Sequence, residues 1–210
     1  MDSTLEQLSK QLFQFLHQMD DEADTPSGCN SHSGLIDYAN YSGLGGRKYE
    51  DSWNNRLAEL LDNDEVATSR EFRYPNNSRK KCDIIIQKGD VRIWVETKGA
   101  WKCWFSSKTG KQEENSANYK GYFYGDGKTH SVAQDIEKLN RLNSKNADYV
   151  GLLIIGFDIS DDPIDPDMGQ LIEKMELKEE GWEIFGPEIW TDRNHPDCRY
   201  NCWFFGKKVQ

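Results

Sequence analysis

Apolar residues near the start of the chain recur at Leu5, Leu8, Leu12, Phe15, Leu16 and Met19. This three-and-four spacing predicts an amphipathic helix with one buried stripe. A stretch rich in Gly, Ser and Asn over 25–48 reads as a connection. Helical spacing returns over 49–61, where Trp53, Leu57, Leu60 and Leu61 form a second stripe. Three short segments, 65–74, 81–87 and 91–98, have strand character, and the polar, tyrosine-dotted segment 106–129 reads as a long insertion. Ser131 with Gln134 three residues on matches a capping box and opens a helix whose apolar face is Val132, Ile136, Leu139 and Leu142. The continuous apolar run YVGLLIIGF over 149–157 is too short for a typical helix and predicts a strand buried on both faces. An acidic loop over 158–167, a short helix near 168–178 and two aromatic strands, 182–190 and 199–206, complete the pattern.

These elements predict an α/β fold with a mixed central sheet and flanking helices. One domain is expected: a core over 49–157, an N-terminal helix and loop over 1–48, and a C-terminal extension over 158–210 that ends in a β-hairpin.

Charge changes the picture in one place. The chain carries a net charge of −10, which argues against a polyanionic partner. Between Arg70 and Lys128, however, thirteen Lys and Arg stand against seven Asp and Glu, while the remainder has thirteen against twenty-nine. A basic middle between acidic ends is compatible with a phosphate-binding face. The first twenty residues lack the basic start and apolar stretch of a signal peptide, so a cytoplasmic protein is expected, with no membrane association. The five cysteines follow no framework spacing and are read as reduced thiols, with Cys82 a small buried residue.

The chemistry gathers on two consecutive strands, KKCDIII and VRIWVETKGAW, joined across Gly89 and Asp90. A glycine in first place suits a two-residue type II′ hairpin, and that turn would make Asp83 the cross-strand partner of Glu96. Directly opposed side chains have Cβ atoms about 4.5–5.5 Å apart. Alternation then puts Lys98 on the same face as Glu96 and turns Thr97 away. Two adjacent carboxylates flanked by Ile and Trp are costly unless a cation or a proton lies between them. Mg²⁺ answers that need with oxygen ligands and retained waters, and Lys98 would orient or deprotonate an attacking water.

With Cys82-Asp83, twelve residues, then Glu96-Thr97-Lys98, the segment 49–157 resembles the PD-(D/E)xK, or restriction-endonuclease-like, nuclease superfamily, whose core is helix, three-stranded meander, helix, strand. Cys82 stands where the name motif has proline, a position without a chemical task. The resemblance implies Mg²⁺ (or Mn²⁺) on Asp83, Glu96 and the Thr97 carbonyl, a water assisted by Lys98, and hydrolysis of nucleic-acid phosphodiesters, DNA favoured. It also implies an acidic residue on the first core helix. Helical geometry chooses Glu50, on the inward face with Trp53, Leu57 and Leu61, over Glu59. The alternative is a catalytically inactive subunit of the same fold that binds nucleic acid or a partner protein, and a homodimer is compatible with either.

Further nucleic-acid contacts are expected from Lys81, Lys102 and Gln134, with Lys108, Lys111, Lys120 and Lys128 in the insertion as additional cations. Gln134 has a competing use as the helix cap. His195, Cys198 and Cys202 offer three possible zinc ligands without a fourth, and Cys202 lies in CWFF, which reads as a core strand.

Overall fold

The structure, a computed structural model, describes residues 2–22, 29–30, 44, 50–75, 77–106, 112–114, 119–125, 131–192 and 196–210. Its main body is a six-stranded mixed sheet in the order β2-β3-β4-β7-β9-β8. These strands are β2 (Val66–Tyr74), β3 (Asn77–Lys88), β4 (Val91–Trp101), β7 (Tyr149–Ile159), β8 (Glu183–Thr191) and β9 (Cys198–Lys208). A small separate sheet orders β1 (Cys29–Asn30), β5 (Cys103–Ser106) and β6 (Gln112–Glu114) as β1-β5-β6. Strand β6 and a short helix α3 (Tyr119–Tyr124) fall within the segment expected to be an irregular insertion, and β5 ends at its first residue.

Helices cover both faces of the large sheet. On one side α1 (Ser3–Asp21) and α2 (Glu50–Leu61) bring Leu5, Leu12, Leu16, Trp53 and Leu57 onto Ile84, Ile86, Val95, Leu153 and Phe204. On the other, α4 (Val132–Asn140) and α5 (Asp165–Lys174) bring Val132, Ile136, Met168 and Leu171 onto Trp94, Val150, Leu152, Ile154 and Phe205. Strand β7 feeds both layers, so its residues read as one apolar run rather than an alternation. It lies parallel to β4, with α4 in the connection, and antiparallel to β9. The aromatic C-terminal hairpin is therefore part of the central sheet. Gly206 on β9 allows close packing there: a Cβ at that position would lie 2.7 Å from Leu5 Cδ2. Among the described residues no helix is long and apolar enough to cross a membrane.

Most of the loop expected over 25–48, apart from β1 and Leu44, and much of the 106–129 insertion, including Lys108, Lys111 and Lys128, lie outside the described residues, as does His195. Helix α5 starts at Asp165, inside the stretch expected to be an acidic loop, and ends before the expected boundary. Its first turn holds proline and two acids, both favoured at a helix N-terminus.

Candidate active site

The β3–β4 turn behaves as its residues require. Gly89 takes φ +56, no positive φ occurs at Asp90, and the register runs from Lys88↔Val91 to Ile84↔Val95. The ladder stops there, and Asp83 does not pair directly with Glu96 as expected. On its other side β3 pairs Ile84 with Arg70 and Cys82 with Phe72, skipping Asp83 and Glu71, and Glu71 has φ +52. A non-glycine residue in that region disrupts regular strand geometry. The disruption is visible in the packing, because Cys82 and Ile84, two positions apart, face opposite layers. Released from the ladder on both sides, Asp83 turns its carboxylate to Thr97, whose backbone N–H donates to Oδ2 at 2.8 Å. The Thr97 hydroxyl, 3.2 Å from the same oxygen, donates to Asn54 Oδ1 of α2 at 2.7 Å. Thr97 thus reaches the site through its N–H and its side chain.

The other carboxylates lie along a chain of alternating charge that is buried at Glu96 and Asp135 and half-exposed at Glu50. Glu96, only 3% exposed, accepts a hydrogen bond from the Tyr74 hydroxyl at 2.6 Å and from Lys138 Nζ at 3.0 Å, both on Oε1. Lys138 lies 2.5 Å from Asp135, whose second oxygen is 4.0 Å from Lys98 Nζ. Lys98 in turn sits 3.4 Å from Glu50, which also accepts from the Gly99 N–H at 3.1 Å. Glu50, Asp83, Glu96 and Lys98 are therefore brought together by α2, β3 and β4, and α4 adds Asp135 and Lys138.

Electrostatics follow from this crowding. Burial pushes the Glu96 carboxyl well above the usual glutamate range, and the neighbouring Asp83 and Asp135 push it further than Lys138 and Tyr74 pull it back. Burial alone would lower Lys98, yet Glu50, Asp135 and Asp83 outweigh it and the ammonium is held above its ordinary value. Lys138 is raised in the same way by Glu96 and Asp135. Lys98 is consequently a fixed cation at neutral pH. It can orient a water or neutralise charge; removing a proton from water, the other role expected of it, needs a free amine.

The donor set suits a hard divalent cation in kind and in charge. Among the described residues four carboxylates (Glu50, Asp83, Glu96, Asp135) gather with two ammonium groups, and the Arg70 guanidinium lies on the Asp83 backbone carbonyl. Among the described residues, however, no three His, Cys, Asp or Glu side chains converge as a metal shell would need. The reason is visible: Glu96 is engaged by Lys138 and Tyr74, and Asp83 by Thr97.

Three expected nucleic-acid contacts are otherwise employed. Lys102 is pinned between Asp162 at 2.6 Å and Asp167 at 3.1 Å, and donates to the Pro163 carbonyl. Gln134 is exposed and completes the capping box with Ser131. Lys81 pairs with Glu71 on the exposed hairpin. Cys198 and Cys202, weighed above as an incomplete set of zinc ligands, are both buried in β9. Residues with no assigned role in the sequence reading, Lys80 and Arg141, instead line a small cavity of about 70 Å³ with Tyr74, Pro75, Asn77 and Lys138. A more open concavity of about 480 Å³ lies elsewhere, between α4 and the C-terminal residues, and includes none of the clustered acids.

Asp135 was within reach of the sequence. At 100° per residue it lies about 60° from the Val132–Ile136–Leu139 direction, whereas Gln134 points almost opposite to it. Tyr74 and Lys138 carry no such signal, since each enters only through tertiary packing.

Comparison with known proteins supplies no match: no family model fits the chain, and neither a curated protein nor a solved structure matches it.

Proposed function

We propose that this protein is a Mg²⁺-dependent nuclease that hydrolyses nucleic-acid phosphodiester bonds, DNA in preference to RNA, at Asp83, Glu96, Lys98 and Glu50. The observation that carries the reading is the carboxylate-rich charge chain that runs inward from half-exposed Glu50 through Lys98, Asp135 and Lys138 to buried Glu96. An unbalanced acidic cluster against a sheet is poor structural material and good cation-binding material. The order α2, the β2–β3–β4 meander, α4 and β7 supports a restriction-endonuclease-like core, with the β5, β6 and α3 segment inserted before α4.

Asp83 and Glu96, with Glu50 beside them, would hold Mg²⁺ or Mn²⁺, which supplies a Lewis acid for the phosphate and an acidified water. Lys98, kept protonated by its acidic neighbours, orients that water and offsets charge at the phosphate. Asn54, buried beside Thr97, has an amide nitrogen without a hydrogen-bond partner, a donor that a water or phosphate oxygen would satisfy. Lys80 and Arg141 flank the cavity next to Tyr74 and suit the flanking phosphates, where exposed Arg79 and Lys81 extend the same basic hairpin.

One observation favours a second reading, a non-catalytic subunit of the same fold: Asp83, Glu96, Asp135 and Glu50 each already have a protein donor or cation. Incubation of the protein with supercoiled plasmid, single-stranded DNA and RNA, in Mg²⁺, Mn²⁺ or EDTA, separates the two. The enzyme gives metal-dependent cleavage that falls on the order of a hundredfold or more in both Glu96→Ala and Lys98→Ala. Binding without cleavage, unchanged by either substitution, establishes the subunit.

A further inference from the structure

Lys138 and Lys98 are the two ammonium groups of the site, and they are held differently. Lys98 projects from a central strand, between Glu50 and Asp135. Lys138 stands on α4 about 120° from the middle of that helix's apolar face and reaches back to the acids along its aliphatic stem. Its Nζ lies 3.0 Å from Glu96 Oε1 and 2.5 Å from Asp135 Oδ1, bridging two buried carboxylates. A divalent ion on Glu96 would be pressed against that ammonium, and like charges so close in a buried site repel strongly. Lys138 also has somewhere to go. The cavity it lines with Lys80 and Arg141 lies alongside, and its Nζ is already 5.9 Å from the centre of the Tyr74 ring.

We infer that Lys138 is a built-in competitor for the cation site, an ammonium that occupies Glu96 and Asp135 until a divalent metal displaces it towards Lys80 and Arg141. The inference rests on the reading of Glu96 as a metal-holding carboxylate and adds a control to it. Displacement brings a third cation beside Lys80 and Arg141, so metal entry and the grip on substrate phosphate strengthen one another. By linkage, a polyanion that draws Lys138 outward tightens metal binding by the same factor. The exchange also explains why the acids do not converge while Lys138 is in place.

The test is Mn²⁺ binding by calorimetry and electron paramagnetic resonance to the full chain, with no nucleic acid present. Lys138→Gln removes the competing charge and is expected to bind Mn²⁺ about tenfold more tightly than wild type, while Lys138→Arg gains nothing. In wild-type protein, saturating Mn²⁺ is expected to raise acylation of Lys138 several-fold, read by mass spectrometry, with exposed Lys145 unchanged. The labelling readout stands even if Lys138→Gln folds poorly. Equal or weaker Mn²⁺ affinity in folded Lys138→Gln, or labelling of Lys138 unaltered by metal, overturns the inference. If wild type binds Mn²⁺ through Glu96 and Lys138→Gln binds no more tightly, the competitor falls and the nuclease reading stands. If no variant binds Mn²⁺ at millimolar concentration, both fall.

Discussion

Two buried acidic residues of this fold, Asp158 and Glu96, are treated in opposite ways. Asp158, at the end of β7, is fully buried and faces Arg199 across the β7–β9 ladder. The guanidinium meets both carboxylate oxygens, at 3.0 and 3.2 Å, and the Ile164 N–H donates at 2.8 Å where α5 begins. Burial raises the Asp158 carboxyl, and its hydrogen-bonding neighbours all pull it back. Glu96 is equally hidden, yet two of its neighbours are carboxylates that raise it further. One acid is matched to a planar, bidentate partner; the other shares two ammonium groups with three more acids. A buried charge kept for architecture is balanced locally, and the imbalance at Glu96 is what the proposed cation site would require.

The largest effect should come from breaking the balanced pair. Arg199→Met leaves Asp158 buried without its cation and should cost about 3–5 kcal/mol in urea unfolding at neutral pH. A loss below about 1 kcal/mol would mean that Asp158 finds another partner and that the contrast with Glu96 is false. The unbalanced site should respond with the opposite sign. Glu96→Gln should stabilise the metal-free protein by about 1 kcal/mol at pH 8, since Lys138 keeps Asp135 as a partner. The sign follows from linkage: because the folded carboxyl is raised, its contribution to stability is full below the ordinary glutamate value of 4.5 and is lost as pH rises through the folded value. The advantage of Glu96→Gln should therefore shrink as pH falls towards 4.5. Thermal melts across that range decide it, and destabilisation at pH 8 would show Glu96 to be a structural acid after all. The smallest effect concerns the backbone that frees Asp83. Glu71→Gly relieves a positive φ and should gain about 0.5–1 kcal/mol in chemical denaturation, less whatever the exposed Lys81 pair contributes. A net loss would assign the local bend to that pair.

The parts of the site that depend on local chemistry were legible in the sequence. Gly89 at a two-residue turn dictated the β3–β4 register, and Ser131 with Gln134 set the start of α4. The placement of Glu50 beside Lys98 followed from helical periodicity. What escaped depends on meetings between distant segments. Tyr74 reaches Glu96 from the far end of β2, and Lys138 arrives from a helix margin where periodicity assigns it no partner. The exposed Glu71 adopts a backbone conformation that no side-chain pattern announces, and through it Asp83 left its expected partner. The partners of Lys102 escaped for a similar reason, because Asp162 comes sixty residues later.

The way α1 is held has a consequence for synthesis. The backbone N–H of Asp2, its N-cap, donates to Glu183, 181 residues further on, and Leu5 packs where Gly206 leaves room. On the ribosome α1 emerges well before β8 and β9 and cannot complete its docking until they have been made. Until then part of its leucine stripe remains wet, available to a chaperone or to a neighbouring nascent chain.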